Sequence, residues 1–201
     1  NTTASNTQRK FATSSAVYFD GTGDYMVAAS DDGFDHPGDF TWELWVYTTA
    51  HAGGATDVIM SNYQNSTNGI TFGIFHNTGK FYFGVGGDAY RIDDSGALPL
   101  NTWTHLAGVR SGSTVTFYVN GTSVGTTTNS GTLTSTSDLT IGTSVGGGSL
   151  NFTGYIRDAR FVNGTAVYTS AFSPPEAPLT AISGTELLLF HAPYIRDGSS
   201  P

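Results

Sequence analysis

The sequence predicts an all-β protein, a two-sheet antiparallel β-sandwich of the jelly-roll kind, and three observations carry that prediction. Glycine is abundant, at 26 of 201 residues, while glutamate occurs only at Glu43, Glu176 and Glu186. β-Branched and aromatic residues fill the apolar positions, which favours extended backbone over helix. Short strand-like runs recur with turn residues between them, roughly eleven to thirteen in all, more than a minimal immunoglobulin domain holds. A chain of 201 residues suits one such domain.

The first strand is expected at residues 16–20, and Gly21-Thr22-Gly23 turns it into residues 24–28. Residues 39–48 form the clearest strand. Phe40, Trp42, Leu44 and Val46 fall on one face, and Thr41, Glu43, Trp45 and Tyr47 on the other. Strands at 58–60, 69–75 and 80–85 follow, the last two joined by a hairpin-like loop at 76–79. Residues 102–109 and 114–119 flank Arg110-Ser111-Gly112-Ser113, and Asn120-Gly121 makes a tight turn into 122–124. Strands at 138–142 and 155–162 come next. Asn163-Gly164 then forms a turn, a short apolar piece follows at 166–168, and Pro174-Pro175 ends regular pairing. Residues 163–175 therefore read as an extended strap across the surface. The run 186–190, bounded by Gly184 and Pro193, is expected to be a strand buried on both faces. The domain is placed at 16–193. Residues 1–15 are read as a lead-in, and 194–201 as a linker or inter-subunit segment in which Tyr194 and Ile195 contact another copy or module. Both ends read as parts of a longer, modular protein.

Composition excludes several classes of function. A net charge of −8 repels nucleic-acid phosphates and anionic membrane surfaces, so neither is an expected partner. Only 12 % of residues are charged, so this is no disordered acidic tail. The absence of cysteine removes disulfides, thiolate metal sites and cysteine nucleophiles together. No apolar run approaches the ~20 residues of a membrane helix, so no insertion is expected.

Four segments, in order, resemble the laminin-G-like (concanavalin A-like) jelly-roll superfamily: residues 17–25, 40–46, 101–107 with 117–121, and 154–160. The stretch 161–175 narrows the resemblance to modules of virion structural proteins of marine bacteriophages. The resemblance implies two curved antiparallel sheets packed face to face. It leaves function open among lectins, glycosidases, adhesion modules and spacers.

Catalysis finds no support in the residues. Retaining glycosidases need two carboxylates flanking the scissile bond. The resembling enzymes present them on one strand, as Glu-x-Asp-x-(x)-Glu. Glu43 is followed by Leu44, Trp45 and Val46, and Asp31-Asp32 and Asp93-Asp94 are adjacent pairs that would point to opposite faces of a strand. No Gly-x-Ser-x-Gly elbow accompanies the five histidines, and His105 reads as a structural residue. Gly146-Gly147-Gly148 lacks the Lys-Ser/Thr ending of a phosphate loop and reads as a flexible turn.

Two binding sites are expected. Calcium suits a chain of hard oxygen ligands without thiolates. Asp20 and Asp24 bracket a glycine-rich turn that lets carbonyls approach an ion, and Asp158 stands where the resembling family often carries an acid. The competing reading has Asp20 and Asp24 bonding turn amides and Asp158 pairing with Arg157 or Arg160. Glycan binding would use aromatic platforms, and Trp45, Tyr47, Tyr63, Tyr82, Tyr90 and Tyr118 lie off the predicted core register. Trp45, in mid-strand, reads as packing. Tyr63 and Tyr90 border polar loops, and with Asn65, Asp88 and Arg91 they form the candidate glycan set.

The expected function is a non-enzymatic structural module on a virion or in extracellular surroundings, serving as fibre, decoration or adhesion protein. Its expected partners are a host-surface glycan, bound weakly and many times over, and neighbouring copies. The alternatives are a purely architectural, self-associating protein and a divergent carbohydrate-active hydrolase.

Overall fold

The computed structural model of the chain describes residues 3–5, 8–11, 16–30, 34–51, 56–65, 68–75, 77–86, 90–147 and 149–192. The strands among them are β1 Thr3–Ser5, β2 Ala16–Asp20, β3 Met26–Ala28, β4 Phe40–Thr48, β5 Asp57–Ser61, β6 Ile70–Phe75 and β7 Lys80–Val85. They continue with β8 Tyr90–Asp93, β9 Trp103–Ser111, β10 Thr114–Val119, β11 Thr122–Thr128, β12 Leu139–Ile141, β13 Thr153–Asn163 and β14 Thr185–Leu189. Two antiparallel sheets result. The larger runs β1-β2-β13-β4-β9-β10-β11, with β14 also on β13; the smaller runs β3-β12-β5-β6-β7-β8. The predicted all-β sandwich is the observed fold. Among the described residues no helix is long and apolar enough to cross a membrane.

Alternation places the core. Phe40, Trp42, Leu44 and Val46 of β4 point inward and are fully buried. Ile70, Phe72 and Ile74 of β6 and Phe81, Phe83 and Val85 of β7 belong to the same buried cluster. Phe83 depends on Gly108 of β9, where a Cβ would run into its ring; the missing side chain lets the sheets close.

The longest strand, β13, organises the larger sheet. Its first half pairs with β2 and its second with β14, while β4 runs along its other edge. Between Arg157 and Arg160 the register slips, with Asp158 at φ 49°, which marks a β-bulge. At one end of the sandwich the buried Arg110 guanidinium donates to the carbonyls of His36, Gly38 and Gly131, fastening two loops to β9. His36 lies within 5.1, 5.7 and 4.6 Å of the Phe40, Trp42 and Phe161 rings, and among the described residues neither of its nitrogens meets a partner in good hydrogen-bond geometry, the Asp35 backbone giving at most a weak contact. Burial pushes its pKa from 6.5 down to about 3, so the ring stays neutral.

Three elements differ from expectation. The predicted lead-in contributes β1, which pairs with β2 through backbone groups and so needs no apolar pattern. β8, with the sequence Tyr-Arg-Ile-Asp, adds an edge to the smaller sheet although only Ile92 is buried. The run expected to be buried on both faces is instead a half-buried strand, β14, with Glu186 exposed, and among the described residues β13 is its one partner in the sheet. The segment 194–201 lies outside the described residues.

Candidate functional site

Much of the outer face of the larger sheet is covered by the chain itself, while Tyr18, Tyr47, Trp103 and Tyr155 pack together half-buried at its other end. After β13 the strap crosses it, fixed by the Gly164 amide on the Asp39 carbonyl, the Val167 amide on Thr41 Oγ1 and the Phe172 amide on the Gly121 carbonyl. Tyr168 and Phe172 stack at 3.6 Å between centroids, and both meet the edge of His105. Beneath them lies Glu43, with no solvent exposure. Its Oε1 accepts from Arg160 Nε at 2.9 Å; its Oε2 accepts from the Tyr168 hydroxyl at 2.8 Å and sits 3.1 Å from His105 Nε2. Burial alone would raise this carboxyl, but His105 and Arg160 outweigh it and hold the group below its ordinary pKa. Burial and the same carboxylate push the Tyr168 phenol well above its usual range. A carboxylate with both oxygens filled and no access to solvent offers a substrate nothing, so this cluster is a buried clasp for the strap. Further along the same face, Lys10 lies 4.2 Å over the Trp45 ring and Phe11 packs edge-on against it. Trp45 is buried, as its packing role required.

The outer face of the smaller sheet is different, for it holds a groove of about 400 Å³. Its floor comes from outward positions of β5 to β8: Val58, Thr71, Phe75, Tyr82 and Arg91. Gly73 lets the Tyr82 ring lie across β6, since a Cβ there would strike the ring. Phe75 meets Tyr82 edge-on at 6.2 Å, and the Arg91 guanidinium carbon stands 3.8 Å from the Phe75 centroid. Arg91 also donates to both oxygens of Asp93, from Nε at 2.7 Å and from Nη2 at 3.1 Å. Tyr63 and Leu150 form walls, and Tyr63 is positioned by its amide donating to Ser61 Oγ at 2.9 Å. Arg91 lies on one face of Phe75 and Tyr82 is buried, so half-buried Tyr63 is the ring left open beside a fixed pair of charge-assisted donors and acceptors. Such a setting can take an apolar ring edge and neighbouring hydroxyls together.

Of the residues singled out from sequence, Tyr63 and Arg91 line this groove, as does Tyr82. Asn65 does not; its side-chain oxygen accepts the Asn68 amide within a loop. Tyr90 is exposed but pairs opposite Val85, alternating with Arg91, so it is not part of the floor. Asp88 lies outside the described residues. Phe75 and Asp93 were missed, although the i, i+2 spacing of Arg91 and Asp93 puts both on one face of a strand.

The three calcium candidates are not gathered into one cage. Asp20 Oδ1 accepts the Thr22 amide, and Asp24 is buried at the end of the same turn. Asp20 pairs opposite Thr153, five residues before Asp158, or about 16 Å at strand rise. Asp158 is buried, ion-paired with Arg157 and bonded to the Leu179 amide; desolvation raises its pKa despite Arg157. Among the described residues no three His, Cys, Asp or Glu side chains converge as a metal site.

A sandwich of two antiparallel sheets with this strand order can be compared with known folds. A laminin-G profile, described as the concanavalin A-like lectin/glucanases superfamily, matches residues 20–176. The chain belongs to this superfamily. A candidate carbohydrate-binding protein from Bacteroides ovatus superposes with a TM-score of 0.71 at 18 % identity, covering 94 % of this superfamily member and 53 % of the Bacteroides chain. This laminin-G-like chain thus spans about half the length of that protein. Domain 4 of AbnA, an extracellular arabinanase of Geobacillus stearothermophilus solved with arabinotriose, gives 0.62 at 16 % identity over 83 % and 77 %. Tailspike protein 2 of bacteriophage CBA120 gives 0.58 at 15 % identity, over 83 % of this chain and 28 % of its own. Identity this low establishes a common fold. No curated protein matches by sequence.

Proposed function

We propose that this laminin-G-like chain is a non-enzymatic glycan-binding module of a virion or cell-surface structural protein, and that the groove on its smaller sheet is the sugar site. One observation carries the reading: half-buried Tyr63 and the Arg91–Asp93 donor–acceptor fork stand together at the open groove, over a floor made by the Tyr82 and Phe75 rings. Carbohydrate-linked structural neighbours support it, as does the burial of Glu43 under the strap, which removes the central carboxylate of β4 from any substrate. The virion setting rests on the likeness of residues 161–175 to marine-phage modules. Neighbouring copies would then be natural partners, and repeated weak sites raise apparent affinity by roughly 10²–10⁴.

The test is a glycan array probed with the protein displayed on multivalent beads. Wild-type beads should bind a restricted set of sugars. Arg91→Ala and Tyr63→Ala should each weaken binding about tenfold, the effect of losing about 1.4 kcal/mol at one contact. No signal from the wild type on any glycan would leave the architectural alternative in place, and release of reducing ends from a bound polysaccharide would restore the enzymatic one.

A further inference from the structure

A second hollow, of about 420 Å³, lies on the same outer face. It is built on β3 and β12, at the opposite end of the smaller sheet from Arg91, and its walls include Tyr25, Val27, Thr136 and Asp138. Val145 belongs to the walls of both hollows. Tyr25 lies against Gly147, where a Cβ would crowd its ring, and 43 % of the residue is exposed. Among the described residues six large apolar side chains are exposed, and three of them, Tyr25, Val27 and Leu150, line these two hollows. Such clustering marks a contact surface.

We infer that the two hollows are successive compartments of one cleft, and that its occupant is a linear, uncharged oligosaccharide lying across the strands. The inference rests on the sugar-binding reading of the first compartment. From β3 to β8 there are five inter-strand steps, about 24 Å at a spacing of about 4.8 Å. A pyranose ring advances a chain by a similar step, so roughly one unit sits over each strand gap. Tyr25 supplies the remote stacking ring, and half-buried Tyr63, above the Tyr82–Phe75 floor, supplies the near one. Charge sets the class of ligand. Arg91 is already neutralised by Asp93, Asp138 adds an anion at the far end, and the whole chain carries −8. Sulfated or carboxylated glycans are therefore repelled.

Calorimetry with size-fractionated β-1,3-gluco-, β-1,4-gluco- and α-1,5-arabino-oligosaccharides of two to eight units tests this, with sulfated laminarin as the anionic arm. Affinity should climb to about five units and then level off. Tyr25→Ala should lower affinity for the longer members about tenfold while leaving the shortest and the melting temperature unchanged. Arg91→Ala should weaken every length. Binding that ignores length and Tyr25, or that prefers sulfated laminarin, overturns the two-compartment cleft but leaves a sugar site. Absence of binding by all three neutral series, with array signal also absent, overturns both readings.

Discussion

His36 shows how firmly a fold can dictate the charge of one residue. Its ring titrates near 6.5 in the unfolded chain and near 3 in the native one. Between those values the unfolded state binds a proton that the native state refuses, so stability falls as the pH drops from about 6.5 towards 3. The loss is about 1.4 kcal/mol per pH unit. Glu43, whose folded pKa is depressed, contributes stability that disappears only at lower pH, below its ordinary 4.5. His36→Phe should therefore flatten the stability–pH curve between pH 6.5 and 5 in urea titrations. A slope equal to the wild type's would assign the acid sensitivity to another group. Nothing in Asp35-His36-Pro37 marks a core residue; the rings around it include Phe161, contributed 125 positions later.

At the scale of elements, the strap depends on one turn. Gly121 has φ 75°, a Cβ there would fall on the Phe172 carbonyl, and the Phe172 amide donates back to the Gly121 carbonyl. Gly121→Ala combines left-handed strain of about 1–2 kcal/mol with displacement of the strap. It should lower the melting temperature by about 4–8 °C. An unchanged melt would mean that the strap contributes no stability. The strap itself was legible, because Asn163-Gly164 and Pro174-Pro175 announce a turn and an end to pairing. What it covers was not legible. Alternation in β4 identified Phe40, Trp42, Leu44 and Val46 as core, but Thr41, Glu43 and Trp45 are just as buried, under segments remote in sequence. Polarity pattern reports the inner face of a strand faithfully and the outer face only when water is what it meets.

For the whole molecule, the sandwich could be read from strand spacing, whereas the cleft needed strand order. Tyr63 and Arg91 stood out because aromatic and charged residues beside polar loops are conspicuous. Phe75 looks like one more core residue until its place at the outward end of β6 is known, and Tyr25 joins the same face only because β3 and β12 extend the smaller sheet. The three acids named for calcium are kept apart for a related reason. Asp20 and Asp158 belong to neighbouring strands, but the register separates them, and the bulge commits Asp158 to Arg157.

The position of β13 between β2 and β4 has a consequence in time. Both neighbours are complete by residue 48, yet the strand that joins them begins at residue 153. At a synthesis rate of about 5–20 residues per second, β2 and β4 wait roughly 5–20 s with bare edges. Pairing over such separations makes refolding slow as well, in the millisecond-to-second range of all-β domains. Ribosome-bound chains halted at residue 152 should be degraded rapidly by protease, whereas chains with residues 1–192 clear of the exit tunnel should resist. Protection of the shorter chain would show that the larger sheet can close without its central strand. Until that strand arrives, the nascent protein is a set of unjoined edges in need of shelter.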